Sequence, residues 1–253
     1  MAIEVFTRRE QKYLITKQQY QALIKKLNYR MRPDLNGIDG RYTVTSLYFD
    51  NEDRDIYYET KNRLRFRQKL RLRVYDDTDI NGTAFFEVKQ KHNKVVNKRR
   101  MILPLQEAYR YLSYSPGESR EGYETSNTQV LREIDHFRWL YQLEPEMIVS
   151  YDRHALHEID NPDLRITFDF NMRTRNDNFA VEDGPYGDNF VDSDLVILEV
   201  KVDDSVPLWL TRILQEVQCD QRGASKFCTS LEFLNGEITV NEALKERMTI
   251  GGF

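Results

Sequence analysis

Cationic and apolar side chains alternate along one short stretch of the chain. Every odd position from Arg63 to Arg73 holds Arg or Lys, and the even positions between them are apolar except for Gln68. A period of two predicts a strand with one apolar face and one cationic face. Because strands average about 5–6 residues, Lys61, Arg63 and Arg65 also fit a loop before this strand, at the entrance of a site.

The same alternation recurs along the chain and predicts about eight strands with helices between them. The further strands are predicted at Val5–Ile15, Tyr42–Asp50, Thr83–Lys91, Val95–Leu103, Glu146–Ala155, Leu164–Arg173 and Leu195–Val202. The helices are predicted at Lys17–Asn28, Glu52–Asn62, Leu105–Tyr114, Thr128–Leu143 and Pro207–Gln218. We expect an α+β fold in which a closed antiparallel β-barrel forms a basic tunnel.

Composition limits the class of protein. The chain has 253 residues with 37 basic and 41 acidic side chains, so the cations are segregated onto strands rather than in general excess. We expect one domain over residues 1–253, with an acidic, mobile flap at Thr174–Asp194 and a peripheral tail at 234–253. The sequence has neither an apolar run of about 20 residues nor a secretory signal, which predicts a cytoplasmic protein. Cys219 and Cys228 form no CxxC pair and fit packed thiols.

One face of the predicted strands collects cations with a few carboxylates. They are Arg8, Glu10, Lys12, Lys69, Arg71, Arg73, Glu87, Lys89, Lys91, Lys98, Arg100, Arg153, Arg165, Asp169, Glu199 and Lys201, with Thr167 on the same face, and Lys226 follows in a predicted loop. Forked guanidiniums and compact ammonium groups suit successive phosphoryl groups. Mg²⁺ or Mn²⁺ takes one or two carboxylates and leaves its other positions to phosphate oxygens and water. Glu10, Glu87 and Asp169 fit salt-bridge partners as well as metal ligands.

Nine short motifs occur in an order that matches a known family. They are Phe6–Tyr13, Ser46–Asp50, Lys69–Tyr75, Phe86–Lys89, Lys98–Arg100, Tyr151–Arg153, Leu164–Asp169, Leu198–Lys201 and Ser225–Phe227. The chain resembles the vacuolar transporter chaperone (VTC) domain. This domain is the polyphosphate polymerase branch of the triphosphate tunnel metalloenzymes, which are related to the CYTH proteins. Arg8 stands where the wider CYTH pattern begins with glutamate, which favours the polymerase branch.

The resemblance implies roles for the residues at these positions. The catalytic contacts would be Arg71, Arg73, Lys89, Arg153 and Arg165. Further phosphate ligands would be Arg8, Lys12, Lys69, Lys98, Arg100, Lys201 and Lys226. Glu199 would bind Mn²⁺ or Mg²⁺, with Glu10 and Glu87 as further candidates.

Several functions remain open at this stage. The resemblance favours a phosphotransferase that uses a nucleoside triphosphate to make polyphosphate, and no side-chain nucleophile is needed for such transfer. A tripolyphosphatase or nucleoside triphosphatase would use the same residues with water as acceptor, and a binding module would hold polyphosphate without turnover. The basic face lacks interleaved aromatic residues, which argues against nucleic acid. The acceptor, the oligomeric state and any membrane partner stay open.

Overall fold

The computed structural model describes residues 5–7, 9–93, 95–118, 122–161, 163–223 and 225–243. Within these residues the chain forms an α+β architecture of mostly antiparallel strands with six α-helices. The strands are β1 Val5–Thr7, β2 Arg9–Thr16, β3 Met31–Pro33, β4 Arg41–Asp50, β5 Phe66–Tyr75, β6 Thr83–His92, β7 Val95–Pro104, β8 Glu144–Glu158, β9 Arg165–Arg175, β10 Asp188–Asn189, β11 Leu195–Val202 and β12 Asp220–Gln221. The helices are α1 Lys17–Leu27, α2 Asp55–Lys61, α3 Leu105–Leu112, α4 Thr128–Tyr141, α5 Leu208–Glu216 and α6 Lys226–Leu234.

The chain divides into two compact units. The first unit comprises Met1–Thr7, Val44–Val149 and Arg175–Tyr186, and the second comprises Arg8–Thr43, Ser150–Thr174 and Gly187–Phe253. The single domain expected over the whole chain stays a prediction.

The first unit is a strand series in the order β1-β7-β6-β5-β4. The predicted hairpin of β6 and β7 is confirmed, since His92 pairs with Val95 across a two-residue turn. Asn93 in this turn has a φ of 55°, a left-handed conformation that asparagine tolerates better than most residues. Lys94 lies outside the described residues. Helix α3 packs against β6 and β7, and α4 packs against β7.

Strand β5 has the two faces that its sequence predicts. Leu70, Leu72 and Val74 are at most 1% exposed and form part of the core of the first unit. The strand begins at Phe66, so Arg63 and Arg65 precede it. The cationic residues between the buried positions therefore share the opposite face, and this face carries the site.

The second unit is a strand series in the order β8-β9-β11-β2-β12, with β3 paired to β8 and β10 paired to β9. Helix α1 begins with a capping box, in which Thr16 and Gln19 each bond the backbone N–H of the other. Leu23 and Leu27 of this helix pack into a core that β2, β9 and β11 also fill. The core of the second unit thus lies on the side of these strands that faces α1.

Several described elements differ from the sequence-based expectation. The single strand predicted at Val5–Ile15 is wrong, because β1 and β2 are separate strands that pair with β7 and β11. The predicted loop around Lys226 is wrong, because Lys226 is the first residue of α6 and Ser225 caps that helix. Strands β3, β10 and β12 were not predicted, and they have only two or three residues each. Within the described residues, hydrogen bonds close neither strand series, so a closed barrel remains a prediction.

The acidic segment Thr174–Asp194 contains short regular elements, and its mobility stays a prediction. It contains a 3₁₀ turn at Val181–Asp183 and strand β10. In its first-unit part, the Arg175 guanidinium donates hydrogen bonds to the carbonyl oxygens of Asn178, Ala180, Gly184 and Tyr186 at 2.6–3.0 Å. A single cation therefore satisfies four backbone acceptors and fixes the path of this segment.

The last segment with a sequence-based prediction is the C-terminal tail. The predicted tail at 234–253 is described only as far as Ala243, which is buried, and its remaining residues lie outside the described part. No helix of the described residues is long and apolar enough to cross a membrane.

Candidate functional site

The cationic face of the first unit is organised in rows across three strands. Residues directly opposite one another in antiparallel strands share a face. One row consists of Arg71 on β5, Glu87 on β6 and Arg100 on β7, and the next consists of Lys69, Lys89 and Lys98. Like charges directly opposite one another destabilise a sheet. The lysine row contains no acidic residue, so an anion bound there would relieve its repulsion.

Glu87 is the centre of the first-unit cluster, which we define as Glu87 with Arg71, Arg73, Lys98 and Arg100. Glu87 is fully buried; its Oε2 accepts from Arg71 Nε at 2.7 Å and its Oε1 from Arg100 Nε at 2.7 Å. Lys98 Nζ lies 2.5 Å from Oε1, and Arg73 Nη1 lies 3.8 Å from Oε2. Both carboxylate oxygens are engaged, which favours the salt-bridge role of Glu87 over metal binding.

Positive charge exceeds negative charge in this cluster. Burial alone would raise the pKa of Glu87, but the four cations hold it well below its usual range. Burial and the neighbouring guanidiniums hold the pKa of Lys98 well below its usual range. Even with Lys98 neutral, three guanidiniums face the one carboxylate, so a polyanion can supply the missing charge.

Three hydroxyl groups complete the surroundings of these arginines. Arg71 Nη1 donates to Tyr48 Oη at 3.2 Å, and Arg100 Nη2 donates to Tyr75 Oη at 3.2 Å. Arg73 Nε donates to Ser46 Oγ at 3.0 Å, and Arg73 is only 4% exposed. The guanidiniums are thus held in position by protein groups before any ligand binds.

Tyr48 is expected to ionise near pH 8 in the folded protein. Burial would raise its pKa, but Arg71, Arg73 and Lys69 stabilise the phenolate and lower the pKa to about 8. We expect ultraviolet phenolate titration to lose one step near pH 8 in Tyr48→Phe. The control Tyr141→Phe should keep that step, because burial and Glu59 raise the pKa of Tyr141. A step near pH 8 that survives in Tyr48→Phe would contradict the assignment.

The second-unit cluster is centred on Glu199 of β11, and we define it as Glu199 with Lys12, Arg153, Lys201 and Lys226. Glu199 is 5% exposed, and its Oε1 lies 3.3 Å from Lys12 Nζ and 3.2 Å from Lys226 Nζ. Its Oε2 lies 2.8 Å from Lys201 Nζ and 3.6 Å from Arg153 Nη2. Burial lowers the pKa of Lys201 to about 8. The fold thus gathers the second set of predicted phosphate ligands around one carboxylate.

Asp169 and Glu10 extend this cluster in different ways. Asp169 accepts from Arg153 through two bonds of 2.7 and 2.8 Å and lies 2.6 Å from Lys226 Nζ, as expected of a salt-bridge partner. Glu10 Oε1 lies 3.2 Å from Lys12 Nζ. Glu10 and Glu199 therefore converge on the same ammonium group.

The donor set fits a metal ion that arrives with phosphate. Within the described residues, no group of three or more His, Cys, Asp or Glu could hold a metal ion by itself. Mg²⁺ bound to a phosphate chain requires only one or two protein carboxylates. Glu199 and Glu10 are the predicted ligands. Both oxygens of Glu199 contact cations, as those of Glu87 do, so Glu199 would bind the metal only if these cations turned towards the phosphate oxygens.

Arg165 is held by a partner that sequence reasoning missed. Its Nη2 donates to Asp34 Oδ2 at 2.6 Å and to Tyr42 Oη at 2.8 Å. Burial opposes ionisation of Asp34, but contact with His157 and the charge of Arg165 lower its pKa. Arg165 pairs with Lys201 in the β9–β11 register and so lies beside the second-unit cluster. Asp34 follows β3 in a turn, and no local pattern marks it as a partner.

The structure groups the predicted site residues by unit. The first unit brings together Lys69, Arg71, Arg73, Glu87, Lys89, Lys98 and Arg100. The second unit brings together Glu10, Lys12, Arg153, Arg165, Glu199, Lys201 and Lys226. Arg8 lies outside the described residues. The individual catalytic, phosphate-binding and metal-binding roles remain predictions.

Comparison with known proteins confirms the resemblance. The family model of the VTC domain matches residues 7–235. A proposed adenylyl cyclase from Hippeastrum, described as having a dominant triphosphatase activity, has a similar fold, with a TM-score of 0.53 and 18% identity over 95% of this chain and 100% of that chain. A proposed adenylate cyclase from Vibrio parahaemolyticus reaches a TM-score of 0.47 at 13% identity over 91% of this chain and 99% of that chain. No curated protein sequence matches. The chain belongs to the VTC domain family.

Proposed function

We propose that this chain is a metal-dependent phosphotransferase that binds a nucleoside triphosphate and transfers its terminal phosphoryl group to make polyphosphate. The observation that carries this proposal is the lysine row of Lys69, Lys89 and Lys98 beside the unbalanced first-unit cluster. Such a surface is stabilised by a chain of successive anionic groups. Membership of the VTC domain family supports the same ligand. Closure of the strands into a basic tunnel is part of the proposal.

Transfer of a phosphoryl group depends mainly on positioning and on neutralising charge. The guanidiniums of Arg71 and Arg100 are held by Glu87 and can contact phosphate oxygens without losing the groups that orient them. Arg153 is fixed in the same way by Asp169. When bound, Mn²⁺ or Mg²⁺ would neutralise phosphate charge, and Glu199 and Glu10 would hold it. The chain therefore needs no nucleophilic side chain.

A triphosphatase is the second candidate. It would use the same cations with water as the acceptor, and the triphosphatase activity described for the Hippeastrum protein favours keeping it in consideration. A binding module without turnover is less favoured, because a pure anion binder has no need of Glu199 among its cations.

We expect purified protein with ATP and Mn²⁺ or Mg²⁺ to yield ADP and polyphosphate with little free orthophosphate. Products should be resolved by chain length, with chelator as the metal-free control. Arg71→Ala should stop the reaction, because Arg71 belongs to the charged row that would bind the phosphates. Arg173→Ala is the matched control, since its guanidinium pairs with Asp152 instead, at 2.7 Å.

Each product pattern identifies one function. Release of one orthophosphate for each ADP would identify the protein as a triphosphatase and not as a polymerase. Tight polyphosphate binding without nucleotide turnover under either metal would leave a binding module.

A further inference from the structure

One buried hydroxyl group beside the second-unit cluster has no partner. Thr167 lies on β9 between Arg165 and Asp169 and pairs directly with Glu199 in the β9–β11 register. Its side chain is fully buried. Its Oγ1 has no hydrogen-bond partner among the described residues. Thr167 therefore places a polar atom, shielded from bulk water, next to the carboxylate on which the cluster is centred.

An orphaned buried hydroxyl calls for an explanation, since nearly all buried polar atoms in folded proteins are hydrogen-bonded. A threonine hydroxyl can donate one bond and accept others. The carboxylates of Glu199 and Asp169 make no hydrogen bond with this hydroxyl, and the lysines around Glu199 are donors without an acceptor atom. The missing partner of the hydroxyl hydrogen is therefore best supplied by an anionic oxygen that these ammonium groups also attract.

We propose that Thr167 Oγ1 donates a hydrogen bond to a phosphate oxygen of the bound triphosphate or polyphosphate, which reaches the buried hydroxyl when the lysines around Glu199 turn towards the phosphate. This inference rests on the proposed function, because it assigns one more ligand to that site. Thr167 is β-branched, so its χ1 rotamer is restricted and the hydroxyl is held in place before the phosphate arrives. Unlike the ammonium groups of the lysines, the Thr167 hydroxyl would form a directional hydrogen bond with the phosphate without adding positive charge. It would thus fix the position of one phosphate oxygen within a strongly cationic cluster.

The test measures tripolyphosphate affinity and stability in the same variants. Calorimetric titration in metal-free buffer should show that Thr167→Val binds about tenfold or more weakly than wild type, as expected for losing a hydrogen bond to a charged group. Thr167→Ser should bind nearly as well as wild type, because it keeps the hydroxyl. Without ligand, the melting temperature of Thr167→Val should equal or exceed that of wild type, because valine has a similar shape and removes an unpaired polar atom.

A matched variant controls for the substitution itself. Thr211 Oγ1 donates to the carbonyl oxygen of Pro207 at 3.3 Å on α5. Thr211→Val should therefore leave tripolyphosphate affinity unchanged.

The possible results separate this inference from the function on which it rests. Absence of tripolyphosphate binding by wild type would refute the proposed function and this inference together. Wild-type binding with unchanged affinity in Thr167→Val would refute only the role of Thr167. Unchanged affinity with a lowered melting temperature would assign the hydroxyl to an ordered water. If Thr167→Val loses tripolyphosphate affinity only when Mg²⁺ is added, Thr167 acts through the metal ion, and the proposed direct contact with phosphate is wrong.

Discussion

Replacing Glu87 by glutamine is expected to lower the free energy of unfolding by about 3–5 kcal/mol, the usual cost of removing one partner from a buried ion pair. Glutamine keeps the shape of the side chain but removes the one negative charge that Arg71, Arg73, Lys98 and Arg100 share. These cations would then repel one another with no carboxylate between them. Urea denaturation at neutral pH measures the change.

A partly exposed ion pair of the same unit is the control for Glu87→Gln. Glu133 contacts Arg99, and their side chains are 34% and 32% exposed. Glu133→Gln should therefore cost about 1 kcal/mol or less. Tripolyphosphate should raise the stability of Glu87→Gln more than that of wild type, because it replaces the missing negative charge. A cost for Glu87→Gln as small as that of the control would contradict the role given to Glu87.

The pH dependence of this effect follows from the lowered pKa of Glu87. A carboxyl group with a folded-state pKa below its unfolded value stabilises the protein above the unfolded pKa, and this stabilisation is lost as pH falls through the folded pKa. The ordinary value for glutamate is 4.5, and the four cations place the folded value well below it. The stability difference between wild type and Glu87→Gln should be constant above about pH 5 and should shrink only in acid.

Glu199→Gln is expected to reduce metal-dependent turnover by on the order of 10³-fold, since a metal ion contributes several kcal/mol to stabilising charge in the transition state. Glu199 would be the main metal ligand, and glutamine binds a divalent cation less well. Turnover should be measured from ADP release over a range of Mn²⁺ and Mg²⁺ concentrations. Because Glu199 also contacts four cations, the assay temperature must lie well below the unfolding transition of the variant.

A second carboxylate-to-amide change controls for Glu199→Gln. Asp152 pairs with Arg173 on the neighbouring strands and is 39% exposed. Asp152→Asn should therefore leave turnover and its metal dependence unchanged. Wild-type turnover in Glu199→Gln with the same metal dependence would show that Glu199 is not a metal ligand.

The local sequence pattern was sufficient to predict those elements in which one face is buried and the other is charged. Strand β5 alternates with a strict period of two, so Leu70 and Leu72 could be assigned to the core and Arg71 to the site. The β6–β7 hairpin was also predictable, because two alternating runs flank a short polar turn. In these elements, the alternation of apolar and polar residues in the sequence matches the alternation of side-chain directions along a strand.

Helix α6 shows where this reasoning fails. Every residue from Lys226 to Glu232 is buried, so this part of the helix has no solvent-exposed polar face of the kind that marks an amphipathic helix. Burial of the charged Lys226 is possible because Asp169 and Glu199 lie beside it, and neither neighbour is close in sequence. The short strands β3 and β10 were missed because two or three residues cannot establish a period.

The sharing of carboxylates could not be predicted from the sequence either. Arg71 and Arg100 meet the same Glu87 only because of the register between β5, β6 and β7. The pairing of Arg165 with Asp34 depends in the same way on the register of β3 with β8, because this register sets the position of Asp34 directly after β3. The sequence therefore predicted which charged residues share a strand face, while strand register determines which of them contact one another.

The alternation along β5 also constrains how this protein can evolve. A one-residue insertion or deletion inside the strand would send the residues on one side of the change to the opposite face. Several arginines and lysines would then enter the core while Leu70 or Leu72 moved to the charged face. Substitutions in β5 should therefore be tolerated better than changes of its length, and viable insertions or deletions should accumulate outside Phe66–Tyr75.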